Sequence, residues 1–263
     1  MRRLLIGEHV GLLIVLGLLT AFFGSQAPFF LSIATLTAVV NQIPALILAS
    51  VGMTFVLIVG GIDLAVGSVL ALSSCVMGVL MVNSEWTLPG AAAAALVCGG
   101  ACGLLSGSIS VLAGIPSFIV SLGILQAARG MTYLLTESRS IYLGAVPGLQ
   151  LIGGRISSLK VSLAFLFALG VVLVSQFVLQ RTLFGRYCTA IGHNQTAATL
   201  SGIRTKRIRI AAFVVSGILS AAAGIADTSR LSSADPNAAI GFELSAIAAA
   251  VIGGTSLMGG RGS

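Results

Sequence analysis

Hydrophobic positions in this chain fall in long unbroken runs, at 10–23, 43–59, 64–82, 90–112, 118–135, 159–179, 210–226 and 244–252. Short polar segments separate them. Strands of a membrane barrel would alternate apolar and polar residues. Here the runs reach helix length, and in hydrocarbon a helix satisfies its own backbone. The predicted fold class is all-α, a polytopic integral membrane protein with about eight apolar helical segments. Pro44 suits the first turn of its helix. Breaks are expected at Gly60-Gly61-Ile62-Asp63, at Asn83, Glu85 and Trp86, and at Gly114-Ile115-Pro116-Ser117. Longer connections are expected at 136–157, with Glu137, Arg139, Pro147 and Arg155, and after 226, with Asp227, Arg230, Asp235 and Pro236.

The connection at 180–210 carries Arg181, Arg186, Arg204, Lys206, Arg207 and Arg209 and no Asp or Glu. A basic, acid-free loop between spans marks the cytoplasmic face. Each of these cations would cost roughly 3 kcal/mol at the centre of a bilayer. Arg2 and Arg3 hold the N-terminus inside, and six crossings bring the chain to this loop on the same side. Ser25 and Ala27 could mimic a signal-cleavage site, but the spans that follow favour an uncleaved first helix. Within the loop, Asn194 can cap a helix, Gln195 to Ser201 suit one, and Gly202 can take the left-handed stop with Ile203 beyond it. A two-turn helix on the cytoplasmic side is predicted. Its role is either docking a partner or only setting topology and touching anionic lipid.

Composition agrees with this class. Of 263 residues, 57% are hydrophobic and 8% charged, and the mean hydropathy is +1.09. Soluble domains carry about 25% charged residues. The net charge of +7 lies in short loops and is not a nucleic-acid footprint. Cys98 and Cys102, one turn apart, read as small packing residues, because His9 and His193 are remote in sequence. Gly99, Gly103 and Gly107 make a stripe that lets helices approach closely, within one chain or between two copies.

One internal repeat is visible. Gly60-Gly61-Ile62-Asp63-Leu64-Ala65-Val66-Gly67 matches Gly253-Gly254-Thr255-Ser256-Leu257-Met258-Gly259-Gly260 as G-G-x-[DS]-L-x-x-G. Each copy follows an apolar helix. The glycine pair is expected to unwind the backbone, and Asp63 or Ser256 to cap the next helix. Broken helices at corresponding places in two halves point to a transport path. A simple count makes the copies parallel, and a re-entrant segment near 228–243 would make them inverted. Asp63 is either a cap at the inner interface or a functional charge. Arg129 is either an arginine snorkelling outward or a pore charge facing protein or water. Glu243 suits the positive end of the helix it opens.

Several chemistries are excluded. Lys160 and Lys206 are the only lysines, and neither stands in a phosphate loop. Neither a nucleophile–base pattern nor a metal-binding cluster is legible. No cofactor is expected.

The chain resembles the inner-membrane permease subunits of bacterial ATP-binding-cassette sugar importers of the ribose, xylose and arabinose type. The resemblance covers nearly the whole chain. It rests on Gly52-Met53-Thr54 with Gly60 to Ser68, and on Gly185-Arg186, Ala190-Ile191-Gly192, Asn194, Ala197-Ala198 and Ser201-Gly202-Ile203. It also rests on Arg230, Pro236, Gly241 to Leu244, Ala246 to Ala249 and Gly253 to Leu257. His193 and Phe242 depart from the family's usual Gly and Tyr. The family continues for several dozen residues beyond Ser263, so this single transmembrane permease domain, 1–263, is expected to be truncated at its C-terminus.

The resemblance implies that the helix in the basic loop docks on an ATPase subunit, and that ATP is hydrolysed there rather than on this chain. It also implies a second permease subunit and a periplasmic sugar-binding protein. The implied cargo is a monosaccharide or similar polyol. The alternative is an ion- or proton-driven secondary transporter, which would need more ionisable residues at the membrane midplane than this chain offers.

Overall fold

The computed structural model describes residues 2–144, 146, 148–154 and 161–262. Pro147, Arg155, Lys160 and Ser263, and the side chains of Arg2 and Arg3, lie outside the described residues. The described chain is helical, with one small two-stranded ribbon.

Residues 1–41 form one compact unit and 42–263 another. The first holds α1 (Arg2–Gln26) and most of α2 (Ile33–Gln42). The α2 helix was not legible as a separate element. Ser32 starts it, its hydroxyl accepting from the Thr35 N–H at 3.2 Å.

The second unit begins with α3 (Pro44–Ile58), where Pro44 opens the helix as its missing N–H predicts. Next come α4 (Val66–Val82), α5 (Leu88–Ala113) and α6 (Ser117–Thr136). Then follow β1 (Ile141–Tyr142), a short α7 (Leu149–Gly153), α8 (Leu163–Arg181), α9 (Leu183–His193) and α10 (Gln195–Leu200). The chain continues through α11 (Thr205–Leu231), β2 (Ser233–Ala234) and α12 (Phe242–Ile252). Among the described residues α5, α6, α8 and α11 are each long and apolar enough to cross a membrane. Counting α2 with α3 as one span would make a fifth. Part of α1, with α4 and α12, forms shorter apolar helices.

The long α11 is the centre of the second unit. At 27 residues it is about 40 Å long. Half of its apolar window is buried, against 11% for α8. Small residues permit this. A Cβ on Gly99 would collide with the Gly217 carbonyl, and one on Gly103 with the Phe213 carbonyl. A Cβ on Gly107 would press on Phe213. The glycine stripe therefore packs α5 against α11 within one chain. The dimerisation reading falls because that face is already filled. Gly52 of α3 meets Ser216 of α11 in the same way. A buried Ser74–Thr228 hydroxyl pair ties α4 to α11.

Two connections differ from expectation. Asp227 and Arg230 were placed beyond the span, but α11 runs on to Leu231 and they pair across its last turn at 2.7 Å. Its small buried face extends through Ser229, so the helix keeps packing partners past 226. The segments at 136–157 and after 231 are joined. β1 pairs antiparallel with β2, Ile141 opposite Ala234, and both lie against Gly78 of α4.

Candidate functional site

The basic connection is more helical than the sequence suggested. Thr182 ends α8 and caps α9, its hydroxyl accepting from the Gly185 N–H at 3.5 Å. Gly185 is forced by a close approach, since a Cβ there would strike the Leu179 carbonyl. Gly185, Cys188 and Ile191 form the buried face of α9, and Arg186 is exposed. Burial pushes the Cys188 thiol up to about 12.

The predicted two-turn helix is α10. Asn194 caps it, Oδ1 accepting from the Ala197 N–H at 2.9 Å. It ends on Gly202 at φ +82°, with Gly202 N–H donating to Thr199 O at 3.0 Å and Ile203 N–H to Ala198 O at 3.1 Å. This is a complete left-handed stop. Ala198 is buried, while Asn194, Ala197, Ser201 and Gly202 are exposed. Leu200, which sequence reasoning did not single out, is 84% exposed at the end of α10. Arg209 Nη1 donates to Gln195 Oε1 at 3.1 Å and ties α10 to α11.

The first glycine break follows α3. Gly60, at φ +76°, donates to Leu57 O, and Gly61 donates to Val56 O, each at 2.9 Å. From there the chain is unwound to Ala65. Its N–H groups are met by side chains: Ile62 by Ser117 Oγ at 2.9 Å, Leu64 by Ser121 Oγ at 3.0 Å, and Ala65 by Asp63 Oδ1 at 3.0 Å. Asp63 is therefore not the cap of α4, whose flanking residue is Ala65 and which has no side-chain cap. Asp63 is 4% exposed, and its Oδ2 accepts from Ser216 Oγ at 2.9 Å. The carboxylate holds an unwound turn against α11.

The second break repeats the stop with a shift of one residue. Here Gly254, not Gly253, takes the left-handed position at φ +101°. Gly254 N–H donates to Val251 O at 2.9 Å and Thr255 N–H to Ala250 O at 3.0 Å. Ser256 caps no helix among the described residues. Its Oγ accepts from the Met258 N–H at 3.2 Å, matching the Asp63–Ala65 turn.

The two breaks meet. Gly260 N–H donates to Ile58 O, the last residue of α3, at 2.9 Å. Gly259 lies against Gly60 and the Gly192 carbonyl, and Gly260 against the His193 ring. A Cβ on Gly192 would collide with both Ile58 O and Gly260 N. The end of α9, one residue before the cap of α10, is thus wedged between the end of α3 and the chain at Gly259-Gly260, which follows the second break. Gly259 and Gly260 belonged to the repeat pattern, and close approach was the signal they carried.

Arg129 is not at this junction. Its Nη1 donates to Pro236 O at 2.6 Å and Ala238 O at 2.8 Å. One turn along α6, the Tyr133 hydroxyl donates to Asn237 Oδ1 at 2.8 Å. The Arg129 guanidinium thus faces protein, bonded to two backbone carbonyls of the connection before α12. These contacts pin the turn leading to α12, where Glu243 stands in the first helical turn and, with Ala239, packs on Gly67.

Residues 35–260 match the family described as branched-chain amino acid transport system / permease component. A ribose import permease protein of Haemophilus influenzae is 38% identical over 95% of this chain and 77% of its own length. A D-allose transport system permease protein of Escherichia coli K12 is 34% identical over 97% of this chain and 78% of its own. An autoinducer 2 import system permease protein of Salmonella choleraesuis is 35% identical over 93% and 70%. No solved structure matches the chain.

Proposed function

The chain belongs to the family of branched-chain amino acid transport system permease components, and on that premise we propose that it is the membrane subunit of an ATP-binding-cassette importer. Its cargo is a monosaccharide or similar polyol, as the printed names of the ribose and allose relatives suggest. It sits in the bacterial inner membrane with its N-terminus inside and about eight apolar segments, the two glycine breaks being copies of one repeat, parallel or inverted. ATP is hydrolysed on a separate ATPase subunit. A second permease subunit and a periplasmic sugar-binding protein complete the importer.

One observation carries this reading: α10 is capped, exposed and joined through Gly192 to the end of α3 and to Gly260 in the chain that follows the second break. A push on α10 therefore reaches both breaks through touching backbone. Residues Gly185, Arg186, Gly192, Asn194, Ala197, Ala198, Ser201 and Gly202 form the coupling element. Leu200 is its apolar contact for the ATPase. Gly60, Gly61, Asp63, Gly253, Gly254 and Ser256 flank the translocation path. Arg129 serves structure, by fixing the entry to α12.

The test places cysteines at Thr199 and Leu200 and on the ATPase surface, and follows disulfide formation in membranes with and without ATP. Crosslinks that change with nucleotide are expected. A loop protected only by lipid, with no crosslink to the ATPase, overturns the coupling role. Sugar uptake that survives ATP depletion but not an uncoupler overturns the importer class.

A further inference from the structure

We propose that the groove between α8 and the α3–α11 pair binds an anionic phospholipid, its acyl chain in the groove and its headgroup on Arg181 and Arg207. The helix α8 leans on α3 and α9 and stands off α11. The gap left is about 750 Å³, the size of a ligand site. Phe55, Phe167, Val174, Val178, Phe184 and Val215 line it, and Ser175 is the one side chain there with a hydroxyl. Phe167 also borders a second apolar groove of about 440 Å³.

Two helical stripes connect the groove to positive charge. On α8, Val174 and Val178 are followed at helical spacing by Arg181. On α11, Val215 and Ala211 are preceded four residues earlier by Arg207. Both arginines are exposed, and each sits where its stripe leaves the apolar region. Arg186 stands in α9, two residues beyond the groove-lining Phe184. The segment 180–210 holds no acidic residue to neutralise them. An apolar slot ending in unneutralised arginines at the interface matches a single-chain ligand with an anionic head. An apolar protein helix would fill the slot and leave the arginines uncompensated. A zwitterionic lipid brings its own cation to the same place. This site is independent of the transported cargo.

The test uses the full chain in nanodiscs of phosphatidylcholine with a minor fraction of phosphatidylglycerol. A trace of either lipid carries a photoactivatable diazirine on its acyl chain. Phosphatidylglycerol is expected to label the peptides containing Phe167 to Val178 and Val215 at least about tenfold more than phosphatidylcholine, since each arginine near the surface favours an anionic lipid severalfold. Arg181→Gln with Arg207→Gln is expected to erase that preference, and Arg181→Lys with Arg207→Lys to keep it. Val174→Trp is expected to reduce groove labelling by both lipids while labelling of α1 stays constant, which controls for folding. Equal labelling by the two lipids overturns the proposal. So does a groove that no lipid labels because a cysteine at Val174 crosslinks to a second copy or a partner subunit.

Discussion

After α3 the chain turns at Gly60 and runs on through protein, with Asp63, Ser117 and Ser121 serving its free N–H groups and α11 packed alongside. After α12 it makes the same turn at Gly254, yet Leu257 is 51% and Met258 89% exposed, and Ser256 serves a single N–H. The backbone device is the same in both places. The difference is who meets the backbone that leaves the helix. Where neighbours meet it, a buried carboxylate is worth keeping, because an unpartnered N–H there would cost about 1–3 kcal/mol. Where the turn is half open, a serine suffices. Among the described residues the same repeat is enclosed by protein in one copy and more exposed in the other, and Gly192 touches the chain at both.

The junction can be broken first. Gly192→Val places a side chain where Ile58 O and Gly260 N already sit. Overpacking of this kind costs about 1–3 kcal/mol, and sugar uptake is expected to fall by at least about tenfold. Normal uptake would mean that the contact between the breaks is dispensable.

The asymmetry between the copies is sharpened by paired substitutions. Asp63→Ala strands the Ser216 hydroxyl and the Ala65 N–H in the interior, at a combined cost of about 3 kcal/mol. Asp63→Asn retains an acceptor for Ala65 and should recover much of the loss. Thermal midpoints of the purified protein read both. Arg129→Met removes two charge-assisted hydrogen bonds and should cost about 2 kcal/mol, seen as faster hydrogen exchange in residues 236–240. Wild-type exchange there would show that Arg129 does not pin the approach to α12.

Smaller effects remain. Asn194→Ala removes the cap of α10 and should cost about 1 kcal/mol, read as loss of protection confined to residues 195–200. Ser256→Ala should change stability by no more than about 0.5 kcal/mol. If it matches Asp63→Ala, the surroundings of the two breaks do not matter and the comparison fails.

Much of this protein was set by local rules that the sequence states openly. Apolar run length made α3, α5, α6 and α8, because in hydrocarbon a chain has no cheaper way to pair its backbone. Pro44 opening α3, and Asn194 and Gly202 bounding α10, act through bonds spanning a few residues, so their positions were legible. The amphipathic α9 was not, because its basic residues masked a buried face at Gly185, Cys188 and Ile191. Tertiary structure alone decided what the charges and glycines are for. Asp63 looked like a helix cap until Ser216, 153 positions away, was brought to it. Arg129 had no partner legible in the sequence until the fold brought the carbonyls of Pro236 and Ala238 to it. Gly99, Gly103 and Gly107 could have met another copy until α11 filled their face. The meeting of Gly192 with the end of α3 and with Gly260 could not be read at all. A glycine shows in sequence only that a side chain is missing, and the fold decides what comes close enough to need its absence.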